Sequence, residues 1–170
     1  MRILFEKIDS DQPTSMIAAY PDKRSIDKIL KFRKSLKIPK GAKVLSPDEM
    51  HCTIRWWKGE RHLDEIIPFL NSLELGKFKC KAVGLERLGD ALVVMLDSKE
   101  LGKAYKKIDK GIQKCGAPPS DYPKFKAHIS LYYSENEKLP DDIEIPFGSL
   151  TFDKIRFVNQ DDEIFWDHMI

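Results

Sequence analysis

Cysteine is scarce in this 170-residue chain: Cys52, Cys80 and Cys115 are an odd number, widely spaced, with no Cys-x-x-Cys pair. That argues against a disulfide framework and a structural zinc, and fits reduced thiols in a cytoplasmic protein. Histidine is also scarce, at four, and neither His51 nor His128 has a histidine or carboxylate four residues on, as a zincin helix would. No metal and no other cofactor is therefore expected. Long apolar runs are missing: nothing approaches the roughly 18 to 20 residues of a membrane helix, and Met1 to Asp11 lacks the apolar centre of a signal peptide. Neither a membrane nor an obligatory protein partner is expected. Excess charge of one sign is missing as well, the formal net charge being +2 with 33% charged residues. A broad polyanion-binding surface is not implied, so any affinity for nucleotides must come from a local site.

What is present is enough apolar residue, 42%, for one substantial core or two small lobes sharing an interface. A single domain over residues 1–170 is expected, with 1–14 as an N-terminal extension that holds a possible short strand, Ile3-Leu4-Phe5. Ser15 to Tyr20 reads as a strand. A helix follows from an N-cap at Ser25 to the Ile38-Pro39-Lys40-Gly41 break. Met50 to Trp57 is a strand, and His62 to Leu73 has helical spacing in spite of Pro68. Lys77 to Leu88 and Ala91 to Leu96 form a hairpin around Gly89-Asp90. Lys99 to Lys114 is a second clear helix, stopped by Gly116. After the turn-rich loop Ala117 to Pro123 come a strand, Phe125 to Tyr133, and a final hairpin, Ser149–Asn159 with Glu163–His168. Strands that alternate apolar and polar residues, interleaved with helices, indicate an α+β fold with antiparallel sheets and helices outside.

One pattern occurs twice. His51-Cys52-Thr53-Ile54 and His128-Ile129-Ser130-Leu131 each set a histidine two residues before a hydroxyl, inside an apolar stretch. In a strand, alternate side chains share a face, so His51 and Thr53 point one way, about 6.5 Å apart, and Cys52 and Ile54 the other. His128 and Ser130 repeat the arrangement. Two such strands from related lobes, facing across a cleft, supply two imidazoles whose ordinary pKa of about 6.5 suits one to act as base and one as acid. That is the requirement of phosphoryl transfer between oxygens, and Thr53 and Ser130 can donate to the non-bridging oxygens as charge builds. His62 and His168 lack such a pairing and read as ordinary polar positions.

The same parity, continued along the strands, sends Arg55, Trp57, Lys126 and Tyr132 to the cleft and Trp56 to the packed side. Arg55 and Lys126 are candidate phosphate contacts. Tyr20, Trp57 and Trp166 are candidates for stacking on nucleobases, each such contact contributing about 1 to 3 kcal/mol.

These motifs resemble those of the 2H phosphoesterases, the RNA ligase and cyclic phosphodiesterase-like superfamily named for two His-x-Thr/Ser motifs. The resemblance covers about Ser15 to Ile170. Leu45-Ser46-Pro47-Asp48-Glu49-Met50-His51-Cys52-Thr53-Ile54 is similar to the first motif strand, and Lys126-Ala127-His128-Ile129-Ser130-Leu131 to the second, with alanine at 127 where many members have proline. Within the superfamily the chain is most similar to the phage anti-CBASS hydrolases, on Lys37-Ile38-Pro39, Met50-His51-Cys52-Thr53, Ala91 to Ser98 and Asp121-Tyr122. The resemblance implies a bilobal, pseudo-twofold α+β fold in which two antiparallel sheets line a cleft. It implies metal-independent cleavage of 3′-5′ bonds in cyclic di- or trinucleotide messengers by the substrate's own 2′-hydroxyl, with His51, Thr53, His128 and Ser130 catalytic. It further implies base contacts from Tyr20, Trp166 and an acidic position at Gln160 or Glu163. Two alternatives stand beside this: opening of 2′,3′-cyclic phosphates on RNA or tRNA 3′ ends, and non-catalytic nucleotide binding. In the first reading a phage-encoded chain would work in the host cytoplasm.

Overall fold

The structure is a computed structural model that describes residues 12–122, 124–135, 137–139 and 142–170; the short strand expected at Ile3 to Phe5 lies outside them. Among the described residues eight strands and three α-helices follow in the order β1 (Thr14–Pro21), α1 (Lys23–Lys34), β2 (Lys43–Val44), β3 (Cys52–Lys58), α2 (Leu63–Asn71), β4 (Phe78–Leu88), β5 (Ala91–Asp97), α3 (Lys99–Lys114), β6 (His128–Tyr133), β7 (Ser149–Asn159) and β8 (Ile164–Met169).

Local chemistry accounts for the helix ends. The cap of α1 is Asp22, whose carboxylate accepts from Ser25 N at 2.7 Å, and not Ser25. Ser25 is buried instead, its hydroxyl accepting from Thr151 N at 2.8 Å. α3 opens on Ser98, which accepts from Leu101 N, and ends at Gly116 with φ +108°, where a Cβ would meet the His62 ring at 2.7 Å. Glycine is required there on both counts. Pro68 sits inside α2, and α2 approaches α3 so closely that a Cβ on Gly111 would overlap the Phe69 ring.

Every strand pairing is antiparallel, and the order across the sheet is β2-β6-β5-β4-β7-β1-β3, with β8 added beside β7. Two four-stranded halves are visible in it: β3-β1-β7-β8 and β2-β6-β5-β4. They are continuous through a short ladder of Phe78 to Lys81 on β4 with Ser149 to Phe152 on β7. The sheet curls, because β3, at one end of the order, comes back against β6 near the other. One large core fills the helix-covered side, with Ile29 and Phe32 of α1, Ile66 and Leu70 of α2 and Leu101, Ile108 and Ile112 of α3 packed on Ile17, Cys52, Val94, Ile129 and Phe157. Two smaller apolar clusters stand apart from it. Met16, Ala18 and Val158 form one, flanked by Tyr20 and Trp56, and Leu45, Ala91, Val93 and Tyr133 form the other, flanked by Leu88 and Met95. Among the described residues no helix is long and apolar enough to cross a membrane.

Candidate active site

The two histidines are held in the same way. His51 Nδ1 lies 2.7 Å from the carbonyl of Glu49, and His128 Nδ1 lies 2.7 Å from the carbonyl of Lys126, in each case two residues upstream. A carbonyl only accepts, so each Nδ1 carries the proton and donates, and Nε2 is left as the basic nitrogen of the neutral ring. The first carbonyl is fixed by the 3-10 turn Pro47–Glu49, where Ser46 and Glu49 form a reciprocal capping box.

The two motif strands touch at this point. The His128 backbone hydrogen-bonds to the Cys52 thiol, and the His128 charge is felt at His51. Burial pushes His51 down to about 4, with the Glu49 carbonyl and the field of Asp162 acting in the opposite sense. His128 is also lowered by burial, opposed by the Lys126 carbonyl and by Glu86.

The hydroxyl residues lie on the same face. Thr53 Oγ1 donates to Met16 Sδ at 3.4 Å, a weak acceptor that an anionic oxygen would displace. Ser130 hydrogen-bonds to the Tyr133 side chain.

Beyond Thr53 and Ser130 the simple alternation fails, and it fails identically in both copies. β1 pairs Ala18 with Thr53 but Ile17 with Arg55, so Ile54 is an extra residue. β5 pairs Val93 with Ser130 but Leu92 with Tyr132, so Leu131 is the extra residue in the same position. These are β-bulges, and each reverses the faces that follow it. The bulged Leu131 carbonyl, displaced from the ladder, is met by Arg33 Nη1 at 3.3 Å and Leu45 N at 3.4 Å.

Four expected cleft residues are corrected by this geometry. Arg55 is 2% exposed and turned inward, where Asp109 Oδ1 accepts from Nε at 2.6 Å and the carbonyls of Trp56 and Pro118 accept from the terminal nitrogens. It is a buried tie to α3 and the loop beyond it, not a phosphate contact. Trp57 is in the core, its ring 5.5 Å from Phe157, and the bulge delivers Trp56 to the cleft wall in its stead. Tyr132 is fully buried and donates to Glu137 at 3.1 Å, while Tyr133 takes the position equivalent to Trp56. Trp166 pairs across β7 with the core residue Phe157, is 9% exposed, and donates to Asn71 Oδ1 at 2.8 Å.

Tyr20 and Lys126 are brought to the histidines. The Tyr20 ring centroid is 5.6 Å from that of His51, and its hydroxyl is pushed up to about 12, chiefly by burial. Lys126 is exposed, and its charge acts on His128. Glu163 is spent within the β7–β8 turn, accepting from Asn159 Nδ2 at 2.9 Å, and Gln160 accepts from Thr14. The carboxylate whose field reaches both Tyr20 and His51 is that of Asp162, in a left-handed conformation (φ 60°) at the turn.

Besides Asp162, Arg156 is missed by the sequence reading. Arg156 lies beside Ala18 on β7, and its guanidinium carbon is 4.9 Å from the Tyr20 ring centroid. The signal was available, since buried Ile155 and Phe157 on either side send Arg156 to the opposite face. Among the described residues no group of three histidine, cysteine, aspartate or glutamate side chains is placed to hold a metal ion.

The fold is that of the 2H phosphoesterases. The solved structure of a phosphoesterase superposes with a TM-score of 0.72 over 94% of both chains at 12% identity. Escherichia coli LigT, crystallised with 3′-AMP, has a TM-score of 0.64 at 14% identity over 94% of this chain and 96% of its own. The protein TT0787 of Thermus thermophilus has a TM-score of 0.67 at 15% identity over 92% and 97%. No curated protein sequence matches the chain. The family described as Anti-CBASS protein Acb1 matches residues 14–163, and the chain belongs to that family.

Proposed function

We propose that the chain is a metal-independent phosphodiesterase that cleaves 3′-5′ bonds of cyclic di- and trinucleotide immune messengers, as a phage counter-defence acting in the host cytoplasm. The observation that carries this reading is the matched pair of histidines, each fixed through Nδ1 to a carbonyl two residues back and each beside a hydroxyl on the same strand face. In the reaction one imidazole Nε2 removes the proton of the substrate's 2′-hydroxyl, and O2′ attacks phosphorus. The P–O5′ bond breaks, and the second imidazole protonates O5′. The products are a 2′,3′-cyclic phosphate, open to later hydrolysis, and a 5′-hydroxyl. Thr53 and Ser130 donate to the non-bridging oxygens, and Tyr20, Trp56 and Lys126 line the substrate.

The surroundings support His51 as the base, because its depth keeps it neutral. His128, more open than His51 and with Glu86 opposing the lowering by burial, is then the acid. The pseudo-twofold pair of apolar walls, one under Trp56 and one under Tyr133, suits a cyclic dinucleotide, itself built from two like halves.

The 3′-AMP bound in the LigT crystal supports a second reading, action on 2′,3′-cyclic phosphates at RNA 3′ ends. Chromatography of a panel of cyclic oligonucleotides and a cyclic-phosphate-ended RNA, incubated with the protein in EDTA, separates the possibilities. Linear products from the cyclic di- or trinucleotides are expected, at a higher rate than RNA-end opening. Preferential opening of the RNA end supports the second reading. Cyclic dinucleotide that is bound yet recovered unchanged indicates a non-catalytic binder, and activity only with added metal contradicts the mechanism.

A further inference from the structure

A cyclic dinucleotide has two phosphodiesters, and when one lies between the histidines the other must still be accommodated within the cleft. The ladders define where its surroundings differ. Ala18, which pairs with Thr53, has Arg156 on its other side, whereas Val93, which pairs with Ser130, has Glu86 on its other side. Arg156 and Glu86 therefore occupy equivalent places in the two halves and carry opposite charges. A backbone that is symmetric around the motifs thus carries opposite charges at this pair of positions, with Asp162 and Asp167 near Arg156 and Lys126 on the Glu86 half.

Arg156 is also arranged as a binding group. Its guanidinium lies over Tyr20, whose ring is in turn 5.6 Å from that of His51. Its side chain is 23% exposed, and Nε is buried without a hydrogen-bond partner, the paired carboxylate Asp167 Oδ2 standing 3.5 Å away. A guanidinium has five donors in a planar fork, so the ion pair with Asp167 and the hydrogen bond to Tyr20 still leave donors to meet a phosphate. Glu86, exposed on the opposite half, repels the same group.

We propose that Arg156 binds the non-reacting phosphodiester of the cyclic dinucleotide and that the Arg156–Glu86 asymmetry fixes one orientation of the ring in the cleft. This rests on the function proposed above. It assigns Arg156 to substrate binding at a distance from the cut bond.

The test compares a two-phosphate substrate, a cyclic dinucleotide, with a one-phosphate substrate, a nucleoside 2′,3′-cyclic monophosphate. For Arg156→Gln the ratio of kcat/KM for the first to that for the second falls about ten- to a hundredfold, the range for losing charge-assisted hydrogen bonds. Arg156→Lys, which keeps the charge and the fold, gives an intermediate loss. A ratio unchanged in Arg156→Gln, with both substrates affected equally or neither affected, overturns the proposal. Should the wild-type chain cut neither compound, the proposed function has failed, and calorimetry then reads the subsite by itself. Cyclic dinucleotide bound more tightly than the cyclic monophosphate, with the preference lost in Arg156→Gln, supports the subsite; equal binding, or a preference retained in the variant, overturns it.

Discussion

The strands His51 to Trp56 and His128 to Tyr133 are built on one plan and finished differently. In both, a histidine donates to a carbonyl two residues back, a hydroxyl follows, and a bulge at the next residue turns the succeeding side chains over. After that the copies diverge. The first buries an arginine, Arg55, which ties it to α3, whereas the second buries Tyr132, which joins Arg87 through Glu137. The first histidine sits deep and has Asp162 and Tyr20 for neighbours, and the second is more open and has Glu86 and Lys126. Backbone symmetry thus places two equivalent imidazoles in unequal surroundings.

The largest effect that would break this comparison concerns the tryptophan pair. Trp57→Ala empties a core site and lowers stability by about 3 to 5 kcal/mol, while Trp56→Ala, on the cleft wall, changes stability much less and mainly weakens substrate binding. Urea unfolding of both variants checks this, and the reverse order would show that the first bulge is absent. Next come the hydroxyls: Thr53→Val and Ser130→Ala each reduce kcat by about 10²- to 10³-fold, the range for one lost oxyanion donor. Steady-state kinetics on a cyclic dinucleotide reads both, and a large loss from one alone would mean that only one strand contacts the reacting phosphate.

The third effect is in pH. Burial lowers His51 from the ordinary value near 6.5 to about 4, so between those values the unfolded chain binds more protons than the folded one. Stability is therefore full above about pH 6.5 and declines as pH falls toward 4, by at most about 3 kcal/mol from this group. His128, also lowered, adds in the same direction. The decline is expected to flatten in His51→Asn, read from urea midpoints at several pH values; an unchanged slope would place His51 nearer solvent. The smallest effect is on the second strand, where Tyr132→Phe removes one hydrogen bond to Glu137 and costs about 1 kcal/mol with turnover retained.

The residues of the motifs themselves disclosed much of this. Alternation up to Thr53 and Ser130 was enough to place four side chains on one face, because a strand's period is local. The helices too are legible in their apolar spacing, although the cap of α1 is Asp22 and not the expected Ser25. What could not be read locally was the pair of bulges. Ile54 and Leu131 look like any other strand residues, and they become extra only because β1 and β5 pair past them. Every side chain assigned by parity beyond that point, Arg55, Trp57 and Tyr132 among them, was therefore turned the wrong way. Trp166 is a stacking candidate as an aromatic and by resemblance, whereas its pairing with Phe157 sends it to the core. Arg156 is within reach of alternation, but it lies far in sequence from both histidines and no motif ties it to them.

The central claim is that the two strands form one site in which the histidines act as a unit. The direct measurement is a double-mutant cycle on cyclic dinucleotide cleavage in EDTA, using His51→Ala, His128→Ala and the double variant, with folding checked by circular dichroism. Each single change is expected to lower kcat by about 10²- to 10⁴-fold, and the double variant to be little worse than the poorer single one, as for residues that work together. Losses that multiply, or substantial activity surviving either single change, would contradict the account.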